Sequence, residues 1–128
     1  MTATAPRDFT TVHDRLKRIL EPYRDRLTVT VNGAGGMAVE VPGLEGKPWG
    51  YVAGTRLGQS YVSYYLMPVY GDPALLEGIS PDLKRRMQGK ACFNFTRVDE
   101  PLMLELEALT AAGVDRYREM VEARAAAR

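Results

Sequence analysis

Four short segments with strand-like patterns follow one another between residues 27 and 67, and short loops separate them. In the first segment, Leu27, Val29 and Val31 alternate with polar neighbours, a pattern typical of a strand with one buried face. Strands that are joined by short links usually pair with their neighbours along the chain, in antiparallel fashion. This run therefore predicts an antiparallel meander as the centre of the fold.

Residues that favour turns set the bounds of the predicted strands. The four segments are 27–32, 37–41, 49–55 and 60–67, and a fifth strand is predicted at 91–97. The glycine-rich segment Gly33-Ala34-Gly35-Gly36 follows a strand, as a phosphate-binding loop would. Because another strand follows it and a lysine is missing, the segment indicates a turn between strands instead.

Two amphipathic helices are predicted to flank these strands. Apolar residues recur at intervals of three and four between Asp8 and Leu27, and again after Glu100, as expected for one buried stripe on each helix. Pro22 is expected to end or bend the first helix, and Gly113 is a point where the last helix can be interrupted.

A short helix is predicted between the fourth and fifth strands. Ser80 and Pro81 form a typical helix start, an N-cap residue followed by proline at the first helical position. Gly89 is placed to end this helix.

These elements predict one α+β domain over residues 1–128, a length that suits a single domain. Its antiparallel sheet has about five strands, the N- and C-terminal helices pack on one face, and the short helix precedes the last strand. Residues 1–7 and 123–128 are expected to fray.

Composition and charge are those of an ordinary globular protein. Lys and Arg number 17 and Asp and Glu 16, so the net charge of +1 selects neither nucleic acid, membrane nor acidic polymer as a partner. No apolar run approaches the length of a membrane span. A single cysteine excludes an internal disulfide and favours a reducing compartment. We therefore expect a cytoplasmic protein without a membrane partner.

No set of residues in the sequence indicates catalysis or metal binding. The only histidine is His13 and the only cysteine is Cys92, and nothing brings them together as a base and a nucleophile. His13 is expected at the surface or boundary of the first helix, and Cys92 as a small core residue. Zinc-ligand spacings are missing, and the acids around Glu100 are those that a helix start favours. The sequence predicts a non-enzymatic protein without a cofactor.

Aromatic residues suggest a binding surface on the sheet. In the segment 60–67, Tyr61, Ser63 and Tyr65 face one way. Tyrosine and tryptophan suit surfaces that are partly buried and partly exposed to solvent, although a packed core explains much of the same pattern. The candidate ligand or partner surface comprises Trp49, Tyr51, Tyr61 and Tyr65. A homodimer through this face is also predicted, because large exposed apolar patches usually mark interfaces.

Five basic residues occur between Leu83 and Val98 with no acid among them. They are Lys84, Arg85, Arg86, Lys90 and Arg97. A solvated helix face is the ordinary explanation, and an anion-binding patch is the alternative. Tight nucleic-acid binding usually rests on about 6 to 10 phosphate contacts. We therefore expect no sequence-specific nucleic-acid binding, and at most weak attraction to polyanions that salt suppresses.

Several segments of the chain carry a family resemblance. They are 60–70, 75–81 and 86–95, together with the pair Asp99-Glu100. These segments resemble the YdhG-like family of small bacterial domains of unknown function, over a range from about Leu16 to Tyr117. The resemblance implies a compact α+β fold with terminal helices on an antiparallel sheet. Some members are regarded as frataxin-like, which implies an intracellular iron chaperone as an alternative function.

Iron binding of the frataxin type is associated with an acidic ridge along the first helix and the edge of the first strand. Between residues 8 and 27 the chain has four acids and five bases: Asp8, Asp14, Glu21 and Asp25, against Arg15, Lys17, Arg18, Arg24 and Arg26. A net positive helix raises the cost of bringing a cation near. The sequence therefore favours a binding or adaptor protein over an iron chaperone or an enzyme.

Overall fold

A computed structural model describes residues 9–47 and 49–126, with side chains up to residue 123. The strands are β1 (Thr28–Gly33), β2 (Gly36–Glu40), β3 (Tyr51–Leu57), β4 (Val62–Leu66) and β5 (Cys92–Phe95), and the helices are α1 (Thr10–Leu20), α2 (Met67–Gly71), α3 (Pro81–Lys84) and α4 (Glu100–Ala126). Short 3₁₀ turns cover Glu21–Tyr23 and Pro73–Leu76. Among the described helices, none combines the length and apolar character needed to cross a membrane.

The five strands form one sheet in chain order, and each pairs with the next in antiparallel fashion. The predicted α+β fold with its antiparallel meander is therefore confirmed. The register sets Thr55 opposite Tyr64, and Tyr64 opposite Phe93. These three side chains share the sheet face that packs on the helices.

The hydrophobic core lies between this face and the two long helices. The sheet contributes Met37, Val39, Ala53, Val62, Tyr64, Leu66, Phe93 and Phe95, and the helices contribute Val12, Leu16, Ile19, Leu20, Leu102, Met103, Leu106 and Leu109. The Tyr64 hydroxyl hydrogen-bonds to Thr110 Oγ1 at 2.6 Å, so α4 covers the same face of the sheet as α1. Burial of one apolar stripe from each helix is what holds these layers together.

Ion pairs and hydrogen bonds join the helices to one another. Arg15 of α1 is buried, and its guanidinium donates to Glu100 at 2.8 Å and to Glu107 at 2.6 Å. Glu105 accepts hydrogen bonds from the backbone and hydroxyl of Ser80, at 2.5 and 2.7 Å. The acids near the start of α4 thus hold α1 and the start of α3 in place.

The terminal helices differ from the prediction in their ends. Helix α1 ends at Leu20 and a 3₁₀ turn containing Pro22 follows, as the proline predicted. The expected interruption at Gly113 is wrong, since α4 continues through it to Ala126. A methyl group at Gly113 would lie 3.2 Å from Pro68 Cβ, so a small residue lets α4 pack closely on α2. Helix α4 includes residues 123–126, and residues 1–7 lie outside the described residues, so the expected fraying of the two ends stays a prediction.

Several predicted elements end elsewhere because of tertiary packing. Strand β3 continues to Leu57, and β4 ends at Leu66 because α2 begins there, a helix that the sequence prediction missed. Helix α3 ends at Lys84, before Gly89. Beyond its end, the chain at 86–88 runs alongside β5, as the bridge between Met87 and Phe93 shows.

Candidate functional site

One row of polar side chains crosses the sheet face that points away from α1 and α4, which we call the open face. Arg56 on β3 stands opposite Ser63 on β4, and Ser63 stands opposite Asn94 on β5. The Asn94 N–H donates to the Arg86 carbonyl at 2.8 Å, so Arg86 continues the row beyond β5. We call these four residues, Arg56, Ser63, Asn94 and Arg86, the polar row.

Hydrogen bonds between side chains fix the centre of the polar row. The Ser63 hydroxyl donates to Asn94 Oδ1 at 2.8 Å, and Asn94 Nδ2 donates to Gln88 Oε1 at 2.6 Å. The Cys92 thiol donates to the same Asn94 oxygen at 3.4 Å. A side-chain amide also carries two N–H donors, and those of Gln88 have no hydrogen-bond partner among the described residues. The floor of the row is thus ordered and keeps donors for a ligand.

The two arginines at the ends of the polar row are without ion-pair partners in the described part of the chain. Arg85 differs from them, because it pairs with Asp82. Three strand spacings separate Arg56 from Arg86, about 14 Å at the usual distance between neighbouring strands. Since an arginine side chain is long and flexible, both guanidinium groups can lean over Ser63 and Asn94 and contact one anion.

Two tyrosines lie beside the polar row on the open face. Tyr65 stands opposite Gly54, and Tyr51 lies across Gly54, where any Cβ would collide with the Tyr51 hydroxyl and come within 2.6 Å of the Met37 carbonyl oxygen. Burial raises the pKa of Tyr51, and the neighbouring Tyr65 and Glu40 raise it further. Both rings are half-buried, so they cover this part of the sheet themselves.

A groove of about 510 Å³ opens at the turn between β3 and β4. Its lining residues are Arg56, Leu57, Gly58, Gln59, Ser60, Tyr61, Ser63 and Tyr65. Tyr61, which is 40% exposed, also lines a second groove with Arg86, Gln88 and Asn94. None of the described residues that line either groove is acidic. Tyr61 therefore presents a planar surface between two unpaired arginines.

The structure separates Trp49 from the other residues of the predicted aromatic surface. Tyr51, Tyr61 and Tyr65 belong to the open face and its groove, whereas Trp49 lines a different groove with Tyr70 and Met120. The Tyr117 hydroxyl donates to the Trp49 carbonyl. Trp49 therefore belongs to the contact between the loop before β3 and α4.

The predicted basic patch is also divided. Arg86 belongs to the polar row, and Arg85 lines the adjacent groove. Lys90 lies 5.9 Å from the centre of the Tyr70 ring, in a groove on the other side of the 86–90 segment. Lys84 and Arg97 are exposed and line none of these grooves. One member of the five thus takes part in the row.

The predictions for His13 and Cys92 are wrong. His13 is only 2% exposed, and its Nε2 hydrogen-bonds to Thr55 Oγ1 at 2.7 Å in the helix-facing layer. Cys92 is half-buried on the open face rather than in the core. The sheet lies between the two side chains, so they form no nucleophile–base pair. Burial raises the pKa of the Cys92 thiol, against the effect of hydrogen bonds with Ser63 and Tyr65.

Sequence reasoning missed Arg56, Ser63, Asn94 and Gln88 as members of a site. The alternation of Phe93 and Phe95 could have placed Asn94 on the face opposite to the core. Arg56 was missed because the third strand was predicted to end before it. The position of Gln88 depends on the pairing of 86–88 with β5, for which no local signal exists.

Metal-ligating residues do not gather in the described part of the chain, where no group of three or more His, Cys, Asp or Glu side chains could hold an ion. On the α1 side, Glu21 pairs with Arg24 at 2.7 Å. The iron-chaperone alternative stays a prediction that rests on the family resemblance.

No family model, curated protein or solved structure matches this chain. The resemblance to the YdhG-like family therefore stays a prediction from the sequence motifs.

Proposed function

We propose that the protein is a non-catalytic binding domain that captures, on its open face, a ligand with a phosphate or carboxylate group and a planar ring. The anionic group lies over Ser63 and Asn94, between Arg56 and Arg86, and the ring contacts Tyr61 and Tyr65. The observation that carries the proposal is the polar row itself, with an unpaired arginine at each end of an ordered polar floor.

Charge and donor geometry favour an anion at this place. A guanidinium group offers a planar fork of N–H donors that matches the oxygens of phosphate and carboxylate. The Gln88 amide adds N–H donors beside Arg86. Because no described lining residue is acidic, an anion meets no like charge within the grooves.

The rest of the ligand is expected to be planar because the grooves share an exposed aromatic ring. Tyr61 lines both grooves and Tyr65 lines one. Contacts between aromatic rings contribute about 0.5–1.5 kcal/mol beyond simple burial. A ring-bearing anion should therefore bind more tightly than the bare anion.

The surroundings of Cys92 support binding rather than chemistry. The thiolate is the reactive form of cysteine, and burial raises the pKa of this thiol, so the thiol stays protonated. The thiol donates to Asn94 Oδ1, and His13, the only histidine in the sequence, lies on the other side of the sheet.

The test is a calorimetric titration with phenyl phosphate at physiological salt, beside inorganic phosphate. We expect saturable binding, with phenyl phosphate about tenfold tighter than inorganic phosphate because of the ring contacts. The double variant Arg56→Gln/Arg86→Gln should abolish measurable binding. Tyr61→Ala should bring the affinity for phenyl phosphate closer to that for inorganic phosphate, because Tyr65 is then the one remaining ring contact.

The matched control is Lys84→Gln/Arg97→Gln, which removes two exposed positive charges outside the polar row. It should keep the affinity of the wild type, because screening at physiological salt limits the reach of exposed charges to about 8 Å. Equal losses in the two double variants would mean that net charge alone attracts the ligand, and the proposal would be wrong.

A further inference from the structure

The two edges of the sheet differ in how they are covered. At the β5 edge, the segment 86–88 adds hydrogen bonds from Gln88 N to Cys92 O at 2.9 Å and from Asn94 N to Arg86 O at 2.8 Å. At the other edge, β1 pairs with β2 alone among the described elements. Within the described residues, one hydrogen bond reaches its main chain from outside the sheet, from Lys17 Nζ to Gly33 O at 3.3 Å.

Strand β1 lacks most devices that protect exposed edges. Its sequence, Thr-Val-Thr-Val-Asn-Gly, contains neither a charged residue nor proline, although charges and proline are what natural edge strands commonly use against pairing. A bulge between Val29 and Val31 is present. Residues 30–33 are exposed, and Val31 is 52% exposed. The outward N–H and C=O groups of β1 are thus available to another strand.

We propose that β1 pairs with β1 of a second copy of this chain, in antiparallel fashion around a two-fold axis. In such a contact each patch meets its own copy, so the patch must be complementary to itself. An uncharged strand meets this condition. When two copies of it pair in antiparallel fashion, the N–H groups of each copy face the C=O groups of the other.

The charges of the neighbouring helix surface also suit a second copy. The spacing of Lys17, Glu21 and Arg24 places them on one side of the first helical segment, the side from which Lys17 reaches Gly33. This surface carries both signs of charge, with Glu21 and Arg24 paired at 2.7 Å within the chain, so a copy of the surface meets no block of like charge. Glu40 and Glu45 are held by the Thr30 and Thr28 hydroxyls, at 2.5 and 2.7 Å, and by the N–H groups of the 43–46 loop.

The proposed dimer has a consequence for the open face. A two-fold axis that relates antiparallel neighbours stands perpendicular to the sheet, so both open faces lie on the same side and both helix layers on the other. The polar rows lie towards β5, away from the seam, and remain accessible. The dimer would thus present two copies of the open-face site side by side.

The test is sedimentation velocity over a range of concentrations, with hydrogen exchange of β1 amides as a second readout. A six-residue seam is smaller than a standard interface of about 1,600 Å², so we expect a weak dimer that forms as concentration rises. The protection of the Thr28–Gly33 amides against hydrogen exchange should increase as the dimer forms. Val31→Glu should raise the dissociation constant about tenfold or more, because like charges then meet across the two-fold.

Two control variants make the result specific to β1. Thr96→Glu adds the same charge beyond β5 and should leave the dimer intact, as should Tyr65→Ser on the open face. Thermal unfolding of Val31→Glu should match the wild type, which shows that the exposed substitution leaves the fold unchanged. A wild type that stays monomeric, or a dimer that Tyr65→Ser dissociates and Val31→Glu does not, would overturn the proposal. Neither outcome depends on phenyl phosphate binding.

Discussion

His13 Nε2 and Thr55 Oγ1 share a hydrogen bond of 2.7 Å where α1 crosses β3. Both side chains are buried, so this contact is a polar link inside the layer between the helices and the sheet. Burial lowers the pKa of His13 below its usual 6.5, and nearby Lys17 lowers it further, against smaller effects of Asp14 and the Ala34 backbone. The imidazole is therefore held neutral in the folded protein at pH 7.

Acid should destabilise the protein through His13. An unfolded histidine titrates near pH 6.5, so the unfolded state binds more protons than the folded state between that value and the lower folded pKa. The free energy of unfolding must then fall as pH drops below about 6.5. His13→Gln retains a side chain that can hydrogen-bond to Thr55 and should show a smaller loss between pH 7 and pH 5.

Urea unfolding of both proteins at the two pH values measures this difference. Carboxylates that titrate in the same range are common to the two proteins, so their contributions to the pH dependence of unfolding cancel in the comparison. Identical pH dependence in wild type and His13→Gln would show that His13 contributes nothing to acid sensitivity.

Arg15→Met should destabilise the protein through the contact between α1 and α4. Arg15 is 5% exposed and donates to Glu100 and Glu107, and hydrogen bonds to charged groups each contribute about 1.5–3 kcal/mol at most. Because the two carboxylates are exposed enough to be rehydrated, we expect a net loss of about 1–3 kcal/mol. Chemical denaturation gives the value.

The matched control for this variant is Arg24→Met. Arg24 makes an exposed pair with Glu21 at 2.7 Å, and exposed pairs contribute about 0.2–1 kcal/mol. A loss in Arg24→Met as large as that in Arg15→Met would refute the structural role assigned to Arg15.

Gly54→Ala should destabilise the sheet and displace Tyr51. The new methyl group would collide with the Tyr51 hydroxyl and come within 2.6 Å of the Met37 carbonyl oxygen, and overpacking of this kind usually costs about 1–3 kcal/mol. Gly35→Ala is the control, because nothing lies within 4 Å of its added methyl group and its φ is not positive. In thermal unfolding, Gly54→Ala should melt at a lower temperature than Gly35→Ala. Equal stability of the two variants would contradict the contact between Tyr51 and Gly54.

Local pattern in the sequence predicts most of the fold. The stripes of α1 and α4 depend on residues close in the chain, and the structure places them as expected. The alternation predicted for β1 is wrong at Val31, because a bulge between Val29 and Val31 shifts the register and leaves Val31 52% exposed. The sequence-based prediction fails for features that depend on contacts between residues distant in sequence. His13 is buried because α1 crosses β3 at Thr55, and helix α2 is stabilised by packing of Pro68 against Gly113 of α4.

The candidate site was harder to predict than the fold for the same reason. Tyr61 and Tyr65 are recognisable from strand alternation. The centre of the polar row joins Ser63 and Asn94, which are 31 positions apart in sequence, and only the strand register brings them together. The sequence patch from Lys84 to Arg97 groups residues that the folded chain separates. Arg86 acquires its place through a main-chain bond with Asn94.

The most direct measurement of the central claim follows the side-chain Nε–H signals of Arg56 and Arg86 by NMR while phenyl phosphate is added. If one anion lies between them, both signals should shift and saturate with the same dissociation constant, and that of Arg97 should stay in place. A shift of only one of the two, or equal shifts of all three arginines, would contradict a shared anion site on the open face.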